Sequence, residues 1–458
     1  MTDGVFRTLA CLVVVALLSA ATAGPARAVP SFALQTGQPC TACHIGAFGP
    51  QLTPFGRAFK IGGYTLGGGQ GWTANLPLAV MAIGSFTHTD ASQPEPPARH
   101  FGRNDNFAFD QLSLFFAGRL NDYMGAFVQG TYNGVDRSVS LDNTDLRLTA
   151  PLTVRDNELR VGLSVNNGPT VQDPYNSTFA WIFPFITSQL APTPTAQPLL
   201  AGGLIGNSVG VTAYGWYDRS LYLEGGVYNT YGSTLTRLTG ASLGPGATAT
   251  SSPYLRAAYE WNWGGHSAHV GALFLQSHLN PALGKRSFTT EFGTNRFTDF
   301  AVDAGYQFLG DGTHVATVEA IYTHENQELT GAFNMGASSQ PRNTLEQARV
   351  NLTYFYENTY GINLGWQNTW GKANPALYAP APVTGSANGK PQSNSFTVEA
   401  DWVPFGKEGS WASPWANLKI GLQYTIYTRF NGGDHNYDGF GRNASDNNTL
   451  FLYAWLAF

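Results

Sequence analysis

The chain has 458 residues, a net charge of −5 and only 12% charged side chains, about half the charged fraction of a soluble globular protein. No basic stripe points to nucleic acid as a partner. After the first 28 residues, no apolar run reaches the roughly 18 residues of a membrane-spanning helix, which excludes a helical membrane protein. The 53 glycines and 13% aromatic residues instead favour a transmembrane β-barrel, whose strands alternate between lipid and lumen.

The N-terminal segment is typical of an export signal. Arg7 supplies a positive charge, residues 9–21 form a short apolar stretch, and Ala26-Arg27-Ala28 is a small-residue cleavage signal. We therefore expect residues 1–28 to be a signal peptide and the mature chain to start at Val29. The alternative is a membrane anchor, which the shortness of the apolar stretch and the clean cleavage signal disfavour.

Cys11 lies in this leader, so the mature chain keeps two cysteines, both in the motif Cys40-Thr41-Ala42-Cys43-His44. The pattern C-x-x-C-H attaches haem of the c type. The two thiols add to the two vinyl groups of the porphyrin, and the adjacent histidine binds the iron as its proximal ligand. We predict one covalent haem c on Cys40 and Cys43, with His44 as the iron ligand.

Three alternatives apply to the same motif. A chance match in a chain so poor in cysteine has odds on the order of one in a thousand. A C-x-x-C redox pair would need a thioredoxin-like βαβ context, which the sequence lacks. A structural zinc ion would need a fourth ligand.

Residues 29–70 are predicted to form a compact haem cassette. Glycine and proline interrupt it at six positions and forbid long helices, at Gly37, Pro39, Gly46, Gly49, Pro50 and Pro54. Six apolar side chains could cover the porphyrin faces: Phe32, Leu34, Phe48, Leu52, Phe55 and Phe59. So short a segment cannot enclose a haem alone, so we expect it to borrow walls from the residues that follow.

The distal iron ligand stays unassigned by the sequence. Met81 and His88 are the first candidates after His44. Both fall in the first predicted strand, where a lone Met or His is usually structural. Water or an open position are the alternatives.

From about residue 76 the sequence alternates with period two in segments of about ten residues, as half-buried strands do. In Ser395–Trp402, Thr397, Glu399 and Asp401 face one way, and the apolar residues between them face the other. Residues 298–308 and 158–166 repeat the pattern. Carboxylates in mid-strand are unusual in a soluble sheet but ordinary in a barrel with a wet lumen.

We predict about sixteen antiparallel strands within residues 71–458, a number at which a barrel leaves an aqueous channel. They are placed at 76–89, 107–120, 123–133, 138–149, 158–166, 207–217, 220–230, 253–263, 266–277, 297–309, 313–325, 344–357, 360–371, 393–404, 415–429 and 447–458. Short and long connections alternate, as they do in outer-membrane barrels with short periplasmic turns and long outside loops. This parity places the cassette and the C-terminus on the periplasmic side, or the cassette inside the barrel. The final strand ends on an aromatic residue, Phe458, as outer-membrane proteins do. The alternative, a soluble β-sandwich or lectin-like sheet, would need a dry inner face free of carboxylates.

The connection that follows Asn166, which parity makes the third outside loop, is too apolar for a solvated loop. Its apolar residues are Phe179, Trp181, Ile182, Phe183 and Phe185. In sixteen-stranded porins the third loop often folds into the lumen, so we predict that this loop plugs the channel near the haem. The alternative is a patch that contacts lipid headgroups or a neighbouring protomer.

The last long connection gathers three aspartates and a histidine, at Asp434, His435, Asp438 and Asp446. Hard oxygen ligands would suit Fe(II) or Ca²⁺. Asp, Asn and Gly are also the residues that turns use, and the sequence favours that interpretation.

The cassette matches the pattern F-A-x-Q-T-G-x-x-C-x-x-C-H followed by L-x-x-F-G-R-x-F-K-x-x-G-Y. The matching residues are Phe32, Ala33, Gln35, Thr36, Gly37, Cys40, Cys43, His44, Leu52, Phe55, Gly56, Arg57, Phe59, Lys60, Gly63 and Tyr64. With the export signal and the barrel, the chain resembles the fused outer-membrane monohaem cytochrome–porins of iron-oxidising bacteria. Leu34 and Thr53 stand where the family pattern has Arg and Asn.

The resemblance implies an outer-membrane electron conduit that acts as an Fe(II):cytochrome c oxidoreductase. Extracellular Fe(II) would give one electron to the haem, and a periplasmic cytochrome or copper protein would receive it. No side chain need do acid–base chemistry, because the protein sets the haem potential through ligands, burial and hydrogen bonds. Two alternatives remain: a solute channel with a haem sensor or gate, and a conduit for a copper ion, a sulfur compound or an electrode. Porins of this size are commonly trimeric, which leaves a homo-oligomer open.

Overall fold

The computed structural model describes residues 30–70, 76–178, 181–241, 246–281, 291–407, 409–412 and 415–458. The predicted signal peptide, its Cys11, the predicted mature start at Val29 and the loop residue Phe179 lie outside these ranges.

The cassette folds as short helices, as its glycines and prolines predict. They are α1 (Pro30–Thr36), α2 (Cys40–Cys43) and α3 (Pro54–Ile61), with a 3₁₀ turn at Ile45–Ala47. Thr53 caps α3, because its side-chain oxygen accepts a hydrogen bond from Gly56 N at 3.1 Å, and Pro54 occupies the first turn. Thr53 thus supplies an N-cap oxygen, as an Asn at this position would.

Among the described residues, sixteen long antiparallel strands follow the cassette. They are β1 (Leu78–Thr89), β2 (Asn106–Arg119), β3 (Met124–Asn133), β4 (Ser138–Val154), β5 (Asn157–Asn166), β6 (Ser208–Tyr217), β7 (Leu221–Thr230), β8 (Ser252–Trp263), β9 (His266–Asn280), β10 (Asn295–Phe308), β11 (His314–Glu328), β12 (Arg342–Tyr356), β13 (Tyr360–Gly371), β14 (Ser393–Trp402), β15 (Asn417–Arg429) and β16 (Thr449–Ala457). Each pairs with its sequence neighbours, and β1 also pairs with β16, which closes the barrel. The strand count is confirmed. Most bounds differ from the predicted ones by a few residues, and β4 continues to Val154 instead of ending at 149.

Shorter elements lie in the connections. A two-residue strand, Ala247–Thr248, pairs with the end of β9. Two short helices, Ser233–Thr239 and Thr330–Asn334, and two 3₁₀ turns, Leu199–Ala201 and Ala444–Asn447, complete the set. No helix among the described residues has the length and apolar character needed to cross a membrane.

The barrel wall is polar inside and apolar outside, the reverse of a soluble barrel. On β14 the side chains of Thr397, Glu399 and Asp401 are buried, whereas Phe396 and Val398 are each 45% exposed on the outer surface. This confirms the alternation predicted for this strand. An apolar outer face around a polar interior is the arrangement of a barrel that spans a lipid bilayer.

Short and long connections alternate at the two ends of the barrel, as predicted, with two exceptions. Residues 134–137 form a short turn at the long-loop end, and residues 403–416 form a longer connection at the short-turn end. The cassette lies inside the lumen at the short-turn end. There Asn417 Nδ2 donates to Ala47 O at 2.7 Å, and Gly46 N donates to Asn358 Oδ1 at 3.2 Å.

Candidate functional site

A cavity of about 400 Å³ lies between the cassette, the barrel wall and the third loop. Its volume is in the range of cofactor pockets. The wall contributes apolar side chains, at Met81, Ile83, Phe115, Phe127 and Trp455. The cassette therefore borrows its walls from the barrel, as its shortness predicts.

Cys40, Cys43 and His44 all line this cavity. The single turn of α2 carries both cysteines, and His44 N donates to Cys40 O at 2.9 Å, which closes the turn. Gly56 allows α3 to approach this turn, because a Cβ at Gly56 would lie 2.3 Å from the carbonyl oxygen of Cys43. The sequence thus brings two thiols and one imidazole to a single surface.

Burial sets the protonation of these three groups. It raises the pKa of Cys40 to about 11 and the pKa of Cys43 to about 12, where Cys40 contributes a smaller like-charge effect. It lowers the pKa of His44 to about 4. His44 Nδ1 is a buried atom without a hydrogen-bond partner. At neutral pH the site therefore presents two thiols and a neutral imidazole, the form in which histidine binds a metal.

Arg57 fixes the cassette to the barrel wall. Its guanidinium donates to both carboxylate oxygens of Glu260 on β8, at 3.1 and 3.0 Å, and to Ser267 Oγ on β9 at 2.7 Å. The side chains of Arg57 and Glu260 are only 3% and 2% exposed. A buried bidentate pair of this kind fixes the orientation of the cassette through its two parallel hydrogen bonds, in addition to its ionic attraction.

Lys60 fixes the cassette to the third loop. Its Nζ donates to Asp173 O at 2.7 Å and to Asn176 Oδ1 at 3.0 Å, and it lies 5.9 Å from the centre of the Trp181 ring. Burial, together with a smaller effect of the nearby Arg147 guanidinium, lowers the pKa of Lys60 to about 7. The charge of this ammonium group therefore changes near neutral pH.

Of the six apolar side chains predicted to cover a porphyrin, four line the cavity: Phe32, Phe48, Leu52 and Phe59. The prediction is wrong for Leu34 and Phe55. Leu34 is buried away from the cavity lining, and Phe55 is 38% exposed on α3. The orientation of each short helix, set by its tertiary contacts, decides which of its apolar residues reach the cavity.

The third loop folds into the lumen, as predicted. Trp181, Phe185 and Ile186 line the same cavity as the C-x-x-C-H motif. Trp181 Nε1 donates to Thr170 O at 3.0 Å, and Asn176 Nδ2 donates to Pro50 O of the cassette. Trp181 is therefore inside the barrel wall and packs against the cassette.

The acidic residues of the last loop serve local turns. Asp438 accepts hydrogen bonds from Phe440 N at 2.7 Å and Val383 N at 3.0 Å, and Asp446 accepts one from Asn443 N at 2.8 Å. Within the described part of the chain, no three His, Cys, Asp or Glu side chains gather into a group that could hold a metal ion. The structure places these residues as the turn interpretation predicts.

Sequence reasoning missed the wall residues Phe115, Phe127 and Trp455, which belong to strands far from the motif in the chain. A signal exists on β1, where the inward positions Ala79, Met81 and Ile83 are apolar, whereas β14 carries Thr397, Glu399 and Asp401 inward. An apolar inner stretch in a wet barrel indicates a buried contact.

No protein-family model matches the sequence, and no curated protein matches it. Several solved structures are similar to the chain. OprB of Pseudomonas putida is 12% identical over 83% of this chain and 93% of its own, with a TM-score of 0.49. The outer-membrane channel DcaP of Acinetobacter baumannii is 12% identical over 83% and 96%, with a TM-score of 0.44. An anion-selective porin from Comamonas acidovorans is 10% identical over 83% and 98%, with a TM-score of 0.43. At these identities and scores, the likenesses support no conclusion about what the chain binds or does.

Proposed function

We propose that the chain is an outer-membrane electron conduit with one covalent haem c. The observation that carries the proposal is the convergence of Cys40, Cys43 and His44 on one cavity inside a membrane-spanning barrel. Cys40 and Cys43 would hold the porphyrin by thioether bonds, and His44 would be the proximal ligand. When bound, the haem supplies a centre that accepts and releases one electron.

The residues present fit such a group. The cavity is mostly apolar, the two thiols stand one helical turn apart, and the His44 imidazole has a buried ring nitrogen without a partner. Phe32, Phe48 and Phe59 offer aromatic surface to a flat macrocycle. An apolar surrounding also favours the form of a redox centre with lower charge.

Packing in the lumen supports transfer of electrons over transfer of solutes. The cassette occupies the short-turn end, and the third loop lies above it. At the long-loop end, Leu199 and Leu200 belong to a buried apolar cluster with the wall residues Leu273 and Leu275. An electron can tunnel through packed protein, whereas a hydrated solute needs a continuous water-filled path.

The direction of transfer follows from the ends of the barrel. Outer-membrane barrels carry short turns on the periplasmic side and long loops outside. The cassette at the short-turn end would then face a periplasmic carrier, a cytochrome or a copper protein, and the donor would act from outside. Fe(II) is the donor implied by the resemblance to cytochrome–porins. Its insoluble ferric product would stay outside the cell while one electron enters.

The proposal is tested by purifying the oxidised protein in detergent, from a host competent for c-type cytochrome maturation. Its visible spectrum is then recorded before and after anaerobic addition of Fe(II). Haem bands that sharpen into the reduced form are expected. The absence of haem bands would overturn the proposal. A haem that dithionite reduces but Fe(II) does not would show that the donor is not Fe(II).

A second candidate function is a solute channel with a haem sensor or gate. The observation that favours it is the closed barrel of sixteen long strands among the described residues, a size that leaves an aqueous channel in other barrels. Single-channel recording in planar bilayers separates the two functions. A conduit gives no steady conductance, whereas a channel conducts ions with the haem attached.

A further inference from the structure

Strand β1 presents an unusual inner face to the cavity. Its inward side chains at this level are Ala79, Met81 and Ile83, and all three are buried and line the cavity. Facing strands of the lumen carry carboxylates, amides and cations at comparable inward positions, for example Lys419 on β15 and Glu260 on β8. Met81 is therefore a soft sulfur donor in an apolar wall.

The surroundings of Met81 join the barrel wall to the cassette. Across the sheet it pairs with Ala457 on β16 and with Ser113 on β2, both small residues. Met81 belongs to a buried apolar cluster with Ile83 and Phe115, and the cassette residue Phe32 packs against this cluster. A methionine side chain has three rotatable bonds, so its sulfur can adapt its position within such packing.

Lys60 lines the same cavity but its amine is already engaged. The Nζ atom donates to Asp173 O at 2.7 Å and to Asn176 Oδ1 at 3.0 Å. Binding a metal through this nitrogen would require loss of its proton and of both contacts. Lys60 is thus a weaker candidate for an iron ligand than an uncharged thioether.

Two other side chains with ligating oxygens line the cavity and are also engaged. Tyr64 Oη donates to Asp145 Oδ2 at 2.6 Å, and Asp142 Oδ2 accepts from Thr131 Oγ1 at 3.0 Å. His88 lies elsewhere, because its ring contacts Asp105 Oδ1 at 2.7 Å near the long-loop end of β1. Among the described cavity-lining residues outside the C-x-x-C-H motif, Met81 offers a soft sulfur donor, and its side chain has no hydrogen-bonding hydrogen to satisfy.

We propose that the thioether sulfur of Met81 would be the second protein ligand of the haem iron, together with His44, which lines the same cavity. This inference rests on the proposed function, since it requires a haem at Cys40 and Cys43. The barrel wall, and not the cassette, would then complete the coordination of the iron. Complete ligation of the iron would therefore require both the covalent attachment of the haem to the cassette and the insertion of the cassette into the barrel.

The ligand has a consequence for the electron donor. A methionine ligand paired with histidine raises the potential of a haem relative to other axial ligands. A high potential is needed to accept an electron from Fe(II), which is a weak reductant. A Met81 ligand would therefore support Fe(II) as the electron donor.

The test compares four purified, detergent-solubilised full-length proteins: wild type, Met81→Leu, Met81→His and Met335→Leu. Met335 is an exposed loop methionine and serves as the matched control. Covalent haem per chain is measured by the pyridine haemochrome after denaturation. The ferric spectrum is examined for the weak far-red band of methionine-to-iron charge transfer, and the spin state and reduction potential are recorded.

We expect one haem per chain in all four proteins. Wild type and Met335→Leu should be low-spin and show the far-red band. Met81→Leu should lose the band and become high-spin, and Met81→His should stay low-spin without the band, both at a lower potential. The wild-type spectrum is itself decisive if a variant fails to assemble.

The outcomes separate the two proposals. Wild-type protein with covalent haem but no far-red band, or a Met81→Leu protein with an unchanged spectrum and potential, would overturn the assignment of Met81 alone. Wild-type protein without covalent haem would overturn the proposed function and the ligand with it.

Discussion

The two ends of the lumen are filled in different ways. At the short-turn end, the cassette is held by buried polar contacts such as Arg57–Glu260 and by an apolar cluster that joins Ile45 and Phe48 to the wall, and it lines a cavity of about 400 Å³. At the long-loop end, the third loop packs Leu199 and Leu200 into an apolar cluster with Leu273 and Leu275. Polar contacts fix the position and orientation of the cassette, and apolar packing excludes water. In the proposed function, one end holds the cofactor and the other closes the pore.

The largest expected effect is the loss of the cofactor from the short-turn end. Replacing Cys40→Ser and Cys43→Ser together should abolish covalent haem, because no thioether bond can form. Haem-stained denaturing gels measure this. Cys11→Ser is the matched control and should keep full staining, since Cys11 lies in the predicted leader. Haem that remains bound after denaturation of the double variant would contradict the assignment.

The next effect concerns the apolar end. Leu200→Asp places a charge in the buried cluster, beside Asp299, whose Oδ2 accepts from Leu200 N at 2.6 Å. Burial of an unpaired charge costs several kcal/mol, so the third loop should leave the lumen. Steady ion conductance should then appear in planar bilayers, while haem content remains.

Leu238→Asp is the control for this experiment, because Leu238 is 76% exposed in the short helix outside the cluster. It should remain non-conducting. Equal conductance of wild type and Leu200→Asp would show that apolar packing does not close the lumen.

A smaller effect is expected when the buried Arg57–Glu260 pair, which holds the cassette to the wall, is broken. Arg57→Met leaves Glu260 buried without its cation, which costs about 3–5 kcal/mol, and the double variant with Glu260→Met should recover much of the loss. Urea unfolding of the folded barrel measures these stabilities. Lys407→Met breaks an exposed pair with Glu357, so it should cost at most about 1 kcal/mol. Equal losses of stability for Arg57→Met and Lys407→Met would contradict a role of the Arg57–Glu260 pair in holding the cassette.

The smallest effect is a pH dependence at the cavity. Below a pH of about 7, where burial has placed the pKa of Lys60, its ammonium stabilises a nearby reduced centre and raises the reduction potential. As pH rises through this value Lys60 loses its charge, so the potential should fall, by at most about 59 mV per pH unit for one electron. Lys60→Gln should flatten this slope in a potentiometric titration. A slope that the substitution leaves unchanged would assign it to another group.

The sequence predicts the barrel well because period-two alternation is a local property. The faces of Glu399 and Asp401, the strand count and the alternation of connections can all be read from neighbouring residues. The motif Cys40–His44 can also be read locally.

The rest depends on contacts between distant residues. Arg57 and Glu260 are 203 positions apart, so the sequence around either residue does not predict their contact. Met81 faces the cavity between Ala457 and Ser113, two small neighbours that only the strand register identifies. The prediction that Leu34 and Phe55 cover the porphyrin is wrong for the same reason, because tertiary packing sets the orientation of the short helices.

The most direct test of the central claim is a transport measurement across a membrane. Oriented proteoliposomes with the cassette end inside would be loaded with an oxidised c-type cytochrome and a small fluorescent solute. Fe(II) is then added outside under anaerobic conditions. The proposed function predicts reduction of the trapped cytochrome while the solute stays inside. Release of the solute, or a trapped cytochrome that stays oxidised while the chain carries its haem, would contradict it.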